Sequence, residues 1–370
     1  MLLEQIGWNP FFQIQLSSLA QLPATPAGIP GRVASANHGR FTVWTASDTN
    51  TAQPTEINAG VGGLLRKPGV LWPAVGDWVL LRPDEAVIDH VLVRQTCVSR
   101  KQPEREIREQ ILAANIDVLF IVSGLDRDYN PRRIERFLVM ANESGARPVV
   151  LLNKADLAPS LNLDLAEVVA SVQALSPAIT VLPISAKADE DLDALPAQLL
   201  PNQTAALIGS SGVGKSTILN RLLGDERQRT TAVRASDSRG RHTTTTRQLF
   251  RMPGGRLLPE GWLLMDLPGL REVQLWSNAE QPTQNLEASF DDIQALAQNC
   301  RFRDCTHGAE PGCAVMAAAL DPARLANFQK MQRELASLER RTSPKLAKET
   351  RAKGKAIEKS VRQHPKRDSS

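Results

Sequence analysis

Apolar and polar positions change rhythm twice along this chain. Between residues 31 and 93, short β-prone pieces at 31–33, 41–44, 76–81 and 87–93 are separated by glycine, proline and aspartate. That punctuation predicts a small antiparallel barrel rather than a helical domain. An OB-like barrel fits, and so do a sandwich or an inert spacer. Before it, residues 1–30 hold one short apolar run, Phe11-Phe12-Gln13-Ile14-Gln15-Leu16, followed by Pro23, Pro26 and Pro30. They read as an extension whose packing the pattern leaves open.

The second change follows the basic-polar stretch Ser99-Arg100-Lys101-Gln102-Pro103. Beyond it, apolar runs of strand length lie at 118–122, 149–152, 179–182, 205–208 and 262–265, with helical stretches at 132–143 and 163–174. Strands that are apolar on both faces and alternate with helices predict a largely parallel sheet covered on both sides. After Gly269 strand character fades, leaving helical candidates at 286–297 and 322–341 around a cysteine cluster. Residues beyond 344 are rich in lysine and arginine and poor in large apolar side chains, so they cannot bury enough surface to fold alone. The expected organisation is an extension over 1–30, a barrel over 31–98, an α/β domain over 99–278, a helical domain over 279–343 and a basic tail over 344–370.

Composition narrows the classes. A chain of 370 residues that is 42% hydrophobic can form more than one core. The net charge of +4, with only five histidines, comes from lysine and arginine and permits an anionic partner. No run approaches the ~18 apolar residues needed to span a bilayer. The first residues, Met1 to Trp8, lack a basic n-region and a cleavage pattern, so a cytoplasmic location and no membrane partner are expected. Of four cysteines, three crowd between Cys300 and Cys313 beside a histidine while Cys97 stands alone, a metal pattern more than a disulfide framework.

Candidate chemistry begins at Gly209, Ser210, Ser211, Gly212, Val213, Gly214, Lys215 and Ser216, which match the phosphate-binding loop in full between a strand-like run and a helix that opens at Thr217. Glycines let the backbone wrap phosphates with its N–H groups inward, and the helix N-terminus adds a favourable field. Lys215 should reach the β and γ phosphates, and the Ser216 hydroxyl suits Mg²⁺. Asp266-Leu267-Pro268-Gly269 ends the strand-like run at 262–265. Asp266 can hold Mg²⁺ directly or through water, and Gly269 can offer an N–H to the γ phosphate. Between them, Arg239-Gly240-Arg241-His242 and Thr243, Thr244 and Thr245 form a polar segment able to act as a switch, or simply an exposed hydroxyl-rich loop. One of these threonines can complete the Mg²⁺ shell, and Thr244 is the one assigned.

The base is chosen elsewhere. Asn153-Lys154-Ala155-Asp156 follows a strand, and Asp156 can accept hydrogen bonds from the N1–H and 2-amino groups of guanine, which adenine lacks. Lys154 can pack its stem over the base, and Asn153 can tie neighbouring loops together. Ser185, Ala186 and Lys187 follow another strand and can complete the pocket with a backbone N–H. An unpaired buried carboxylate costs several kcal/mol, on the order of what a large preference for GTP over ATP requires. Cys300, Cys305, His307 and Cys313 supply the Cys₃His set suited to one structural, tetrahedral zinc ion.

The guanine motifs precede the phosphate loop. That order resembles the circularly permuted GTPases, and specifically the ribosome small-subunit-dependent GTPase A family of bacterial 30S assembly factors. The resemblance runs from about Gly31 to the final helix. It implies a multidomain protein with an N-terminal OB-like barrel, a central permuted α/β P-loop GTPase domain and a C-terminal zinc-binding, mainly helical domain. The spacing of the four metal ligands is similar to the family's zinc segment. The family also implies GTP hydrolysis in late 30S maturation, stimulated by the small subunit through 16S rRNA, and a monomer is expected. Leu270 stands where Ras-like enzymes orient water with glutamine, so intrinsic turnover should be slow. The resemblance implies a catalytic contribution from His242, for which a surface histidine with no catalytic task is the plain alternative; Lys215 counts as catalytic through its reach to the phosphates. A GTPase acting on another RNA, or a protein-binding regulatory GTPase, is the alternative.

Overall fold

The structure, a computed structural model, describes residues 3–21, 28–46, 53–67, 70–83, 85–101, 109–126, 129–176, 178–224, 247–254, 261–267, 275, 282–308 and 310–342. The chain divides into two compact units, one of Met1–Ser99 with Ile111–Val273 and one of Arg100–Gln110 with Gln274–Ser370.

In the first unit, β1 (Ile29–Asn37), β2 (Arg40–Thr45), β3 (Thr55–Val61), β4 (Trp78–Leu81) and β5 (Val87–Val91) close into a barrel. The order is β1-β2-β3-β5-β4, and β4 returns to pair antiparallel with β1 from Ile29↔Leu81 to Arg32↔Trp78. Only the β3–β5 seam is parallel. This is the OB-like arrangement rather than a sandwich. His38 and Gly39 turn β1 into β2 with φ of 47° and 79°, the two positive angles of a type I′ hairpin, whose twist matches that of the strands. Val33, Phe41, Val43, Ala59, Val79 and Ile88 share one face of the strands and fill the interior, while Trp78 lies on the other face beside Arg32.

The extension is ordered by its own sequence. Asn9 accepts from the Phe11 N–H and Pro10 occupies the first turn, which starts α1 (Pro10–Ala20). Trp8 meets Trp78 edge-on at 4.7 Å, and Phe12 and Ile6 are buried beside them. The buried Arg32 guanidinium donates to the carbonyls of Ile6, Gly76 and Asn115 at 2.6, 3.3 and 2.9 Å. Burial pushes its pKa down to about 10, against the pull of Asp117 and Asp77.

A two-stranded ribbon of β6 (Cys97–Lys101) and β7 (Glu109–Ala114) precedes the α/β sheet. That sheet contains β8 (Val118–Gly124), β9 (Arg147–Asn153), β10 (Thr180–Ile184), β11 (Thr204–Gly209), β12 (Gln248–Met252) and β13 (Trp262–Asp266), ordered β10-β9-β8-β11-β13-β12. All neighbours are parallel except β12 on β13. The five strands expected from apolar runs are present. β12 was not expected, and its register continues the sheet to the barrel through Ser35↔Gln248. Helices α2 (Pro131–Ser144), α3 (Leu165–Gln173) and α4 (Lys215–Leu223) connect the strands. The parallel strands all direct their carboxyl ends to one edge, where open α/β sheets bind ligands.

The second unit is helical, with helices Pro282–Ala288, Asp291–Ala297, Ala314–Ala317 and Pro322–Thr342. The single helix expected over 286–297 is instead two. Phe290, at φ −134°, leaves the helical path and buries its ring 5.2 Å from Phe328 and 4.6 Å below the Arg324 guanidinium. Arg324 also forks onto Asp292 at 2.8 and 2.7 Å, so the break is compensated by packing and charge. Among the described residues no helix is long and apolar enough to cross a membrane. The basic tail lies outside them.

Candidate functional site

The phosphate-type loop leaves the carboxyl end of β11, which runs between β8 and β13. A side chain at Gly209 would place its Cβ 2.3 Å from the Val122 carbonyl oxygen, so only glycine lets the loop begin this close to β8. Gly214 adopts φ 101°, and a Cβ there would lie 2.2 Å from Asn153 Nδ2. Val213 is buried beneath the loop, while Ser211, Gly212, Ser216 and Thr217 are exposed along its rim and the first turn of α4. Ser210 is buried. Lys215 folds back over the loop and donates to the carbonyls of Gly209 and Ser210 at 2.9 and 2.7 Å. Burial lowers its pKa to about 8, while Asp266 pulls it upward. Asp266 is itself buried at the end of β13, in register with Leu207 of β11.

The two base-type loops converge on this cradle. Asn153, buried at the end of β9, donates from Nδ2 to the Val213 carbonyl at 2.8 Å and accepts from the Ala186 N–H at 3.0 Å. One amide side chain therefore ties three loops that are far apart in sequence. Lys154, at φ 67°, donates to the Gly212 carbonyl at 2.8 Å and to the Asp126 carboxylate. Asp156 is exposed and accepts from the Ser185 hydroxyl at 2.6 Å. That hydroxyl in turn accepts from the Ala188 N–H at 3.2 Å, so the serine holds the carboxylate in place. Lys187 is exposed beside it.

Two residues of this constellation escaped the sequence reading. Asp126 follows the apolar run of β8 by two positions, and an acidic residue just past a strand end was the available signal. Arg221, near the end of α4, donates to the carbonyls of Ala186 and Lys187 at 3.3 and 3.1 Å. A lone arginine on a helix face gave no signal. His242, Thr243, Thr244, Thr245, Gly269 and Leu270 lie outside the described residues.

In the second unit, Cys300, Cys305, His307 and Cys313 come together with their ligand atoms all within 4.8 Å of one another. The sulfurs of Cys300 and Cys313 are 3.9 Å apart, and each lies 3.7 or 3.6 Å from His307 Nδ1. Tetrahedral zinc bonds of about 2.3 Å to sulfur and 2.0 Å to nitrogen imply edges of roughly 3.8 and 3.6 Å. The donor set therefore fits a metal ion in kind and in spacing. His307 reaches the cluster with φ 57°, and Gln329 of helix Pro322–Thr342 donates to its carbonyl at 2.9 Å. Glu310 accepts from the Thr306 hydroxyl, the Thr306 N–H and the Gly308 N–H, which hold its carboxyl down to about 2. The ligand loop is thus braced independently of the metal.

Comparison with known proteins follows the same lines. The profile of the family described as RsgA GTPase matches residues 91–276. The chain is 41% identical over 375 residues to the small ribosomal subunit biogenesis GTPase RsgA of Opitutus terrae, covering 96% of each chain. It is 44% identical over 287 residues to the Methanosarcina acetivorans protein of the same name, covering 75% of this chain and 74% of that one. Among solved structures it is similar to YjeQ from Thermotoga maritima, with a TM-score of 0.57, 25% identity, and 84% and 99% of the two chains covered. It also shares its fold with YloQ, described as a circularly permuted GTPase, with a TM-score of 0.52 at 21% identity over 87% and 99% of the chains.

Proposed function

The chain belongs to the RsgA GTPase family, and on that premise we propose that it couples GTP hydrolysis to late maturation of the 30S ribosomal subunit. The relatives' printed name supports the choice of particle. The observation that carries the nucleotide reading is the pair of Asn153 hydrogen bonds, which hold the base-type loops against the phosphate-type loop as a single site.

In this reading Asp156 accepts from guanine N1–H and the 2-amino group, with its orientation held by Ser185. Lys154 covers the base, and the loop of Ser185, Ala186 and Lys187 faces its 6-oxo edge. The N–H groups of Gly209 to Thr217 cradle the phosphates, and Lys215 exchanges its two carbonyl partners for the β and γ phosphate oxygens. Ser216, Asp266 and Thr244 would hold the Mg²⁺ that accompanies GTP and neutralises charge on the phosphates. Gly269 donates an N–H to the γ phosphate, and His242 orients or deprotonates the attacking water. Cys300, Cys305, His307 and Cys313 would together hold a zinc ion, and with four protein ligands its contribution would be structural.

The barrel, the zinc region and the basic tail hold 16S rRNA through shape and phosphate contacts. Binding of the small subunit accelerates hydrolysis, and loss of the γ phosphate releases a monomeric, cytoplasmic factor. Co-sedimentation of purified protein with 30S subunits tests this cycle. A non-hydrolysable GTP analogue should retain it on 30S and GDP should not; equal retention with both nucleotides contradicts the proposal.

A further inference from the structure

α4 begins at the phosphate loop with Lys215 and carries Arg221 in its last turn, whose guanidinium reaches across to another loop. There Nε and Nη2 donate to the successive carbonyls of Ala186 and Lys187 at 3.3 and 3.1 Å. The opposite side of the same loop is pinned by the Ala186 N–H on Asn153 and by the paired backbone bonds between Ser185 and Glu190, at 3.2 and 3.0 Å. Fixing two successive carbonyls also fixes the planes of the 186–187 and 187–188 peptides, and hence the direction of the Lys187 and Ala188 N–H groups on the other side of those planes. The Ala188 N–H is taken by the Ser185 hydroxyl at 3.2 Å, which leaves the Lys187 N–H.

We infer that Arg221 is a positioning residue for purine discrimination: it sets the tilt of the 186–187 peptide so that this loop presents the Lys187 N–H rather than a C=O to the 6-position of the base. Guanine carries an oxo acceptor there and adenine an amino donor, so the tilt decides which purine is matched. The inference rests on the guanine reading above and deepens it by dividing the labour. Asp156 reads N1–H and the 2-amino group, while the loop held by Arg221 reads the 6-oxo edge. Because Arg221 springs from the helix that starts at the phosphates, one rigid element couples the phosphate cradle to the base edge.

Arg221 is exposed, so replacing it opens no cavity in the core. Arg221→Met keeps the apolar stem and removes both donors, and Arg221→Lys restores charge with a single donor group that cannot fork onto two carbonyls. The test is calorimetric affinity of wild type and both variants for GTP, inosine triphosphate and ATP, with thermal melting in parallel. Inosine shares the 6-oxo group with guanine and lacks the 2-amino group. In Arg221→Met, GTP and inosine triphosphate should weaken together by about three- to tenfold, the worth of one aligned hydrogen bond. ATP should not weaken, the ratio of GTP to inosine triphosphate affinity should stay at its wild-type value, and Arg221→Lys should fall in between. Unchanged affinities in Arg221→Met, or equal loss for all three nucleotides with a lowered melting temperature, overturn the inference. A wild-type protein indifferent to GTP and ATP overturns it too, by removing the guanine reading beneath it.

Discussion

In the proposed reading Asp156 and Lys215 divide recognition between a base edge and a phosphate. Asp156→Asn exchanges an acceptor for a donor facing the 2-position. GTP affinity should fall by on the order of a hundredfold, and xanthosine triphosphate, with a 2-oxo group, should become the better ligand; competition binding that still ranks GTP first would show that this carboxylate does not read the base. Lys215 gives a pH signature. Burial lowers its pKa from 10.5 to about 8, so the ammonium form is disfavoured by folding at neutral pH. That penalty is relieved as pH rises from about 8 towards 10.5, and the free protein should become slightly more stable over this window. GTP affinity should move the other way, declining above about pH 8 as the charge facing the phosphates is lost. Isothermal titration from pH 7 to 9.5 checks this, and a flat profile argues against Lys215 as a phosphate ligand. The motifs that named these two residues were legible because each concentrates a distinctive set of residue types in a few positions. Arg221 and Asp126 were not, since their partners lie 34 and 28 positions away and nothing local marks either.

Strands and helices were legible where burial is two-sided. β8, β9, β11 and β13 read as unbroken apolar runs because helices and loops cover both faces, and their side chains are almost wholly buried. β3 starts Thr55-Glu56-Ile57-Asn58 with three of four side chains exposed, and β12 mixes buried with half-buried positions over only five residues. Neither stands out from loop sequence. The break at Phe290 was hidden for another reason: apolar spacing continues through both flanking helices, and only the buried ring against Phe328 ends the first. The cysteine cluster was legible in composition, and its energetics belong to the loop as a whole. Coordination can supply roughly 10 kcal/mol to a small unit. Freshly purified protein should therefore hold one zinc per chain. Strong chelators should melt the 282–342 helices, seen as lost helical ellipticity, while GTP affinity is retained by the other unit. Substoichiometric metal with the helices intact would count against a structural zinc.

Across the whole molecule, motif order carried more information than any single motif. Asn153 and Ser185 precede Gly209 in sequence, yet the parallel strands direct all three loops to one edge of the sheet, so a permuted chain can build the site that an unpermuted chain would. The sequence did not reveal that the extension would pack on the barrel, because Trp8, Phe12 and Arg32 become meaningful only once Trp78 lies beneath them. The family-level account then turns on a property of the assembled molecule: hydrolysis that waits for the correct RNA particle. Its most direct test is steady-state GTP turnover by wild type and His242→Ala with purified 30S subunits, with 50S subunits and with neither. The account predicts slow turnover alone and with 50S, acceleration of at least about tenfold by 30S, and loss of that acceleration in His242→Ala with GTP binding intact. Equal turnover under all three conditions, or acceleration by 50S instead, would contradict it.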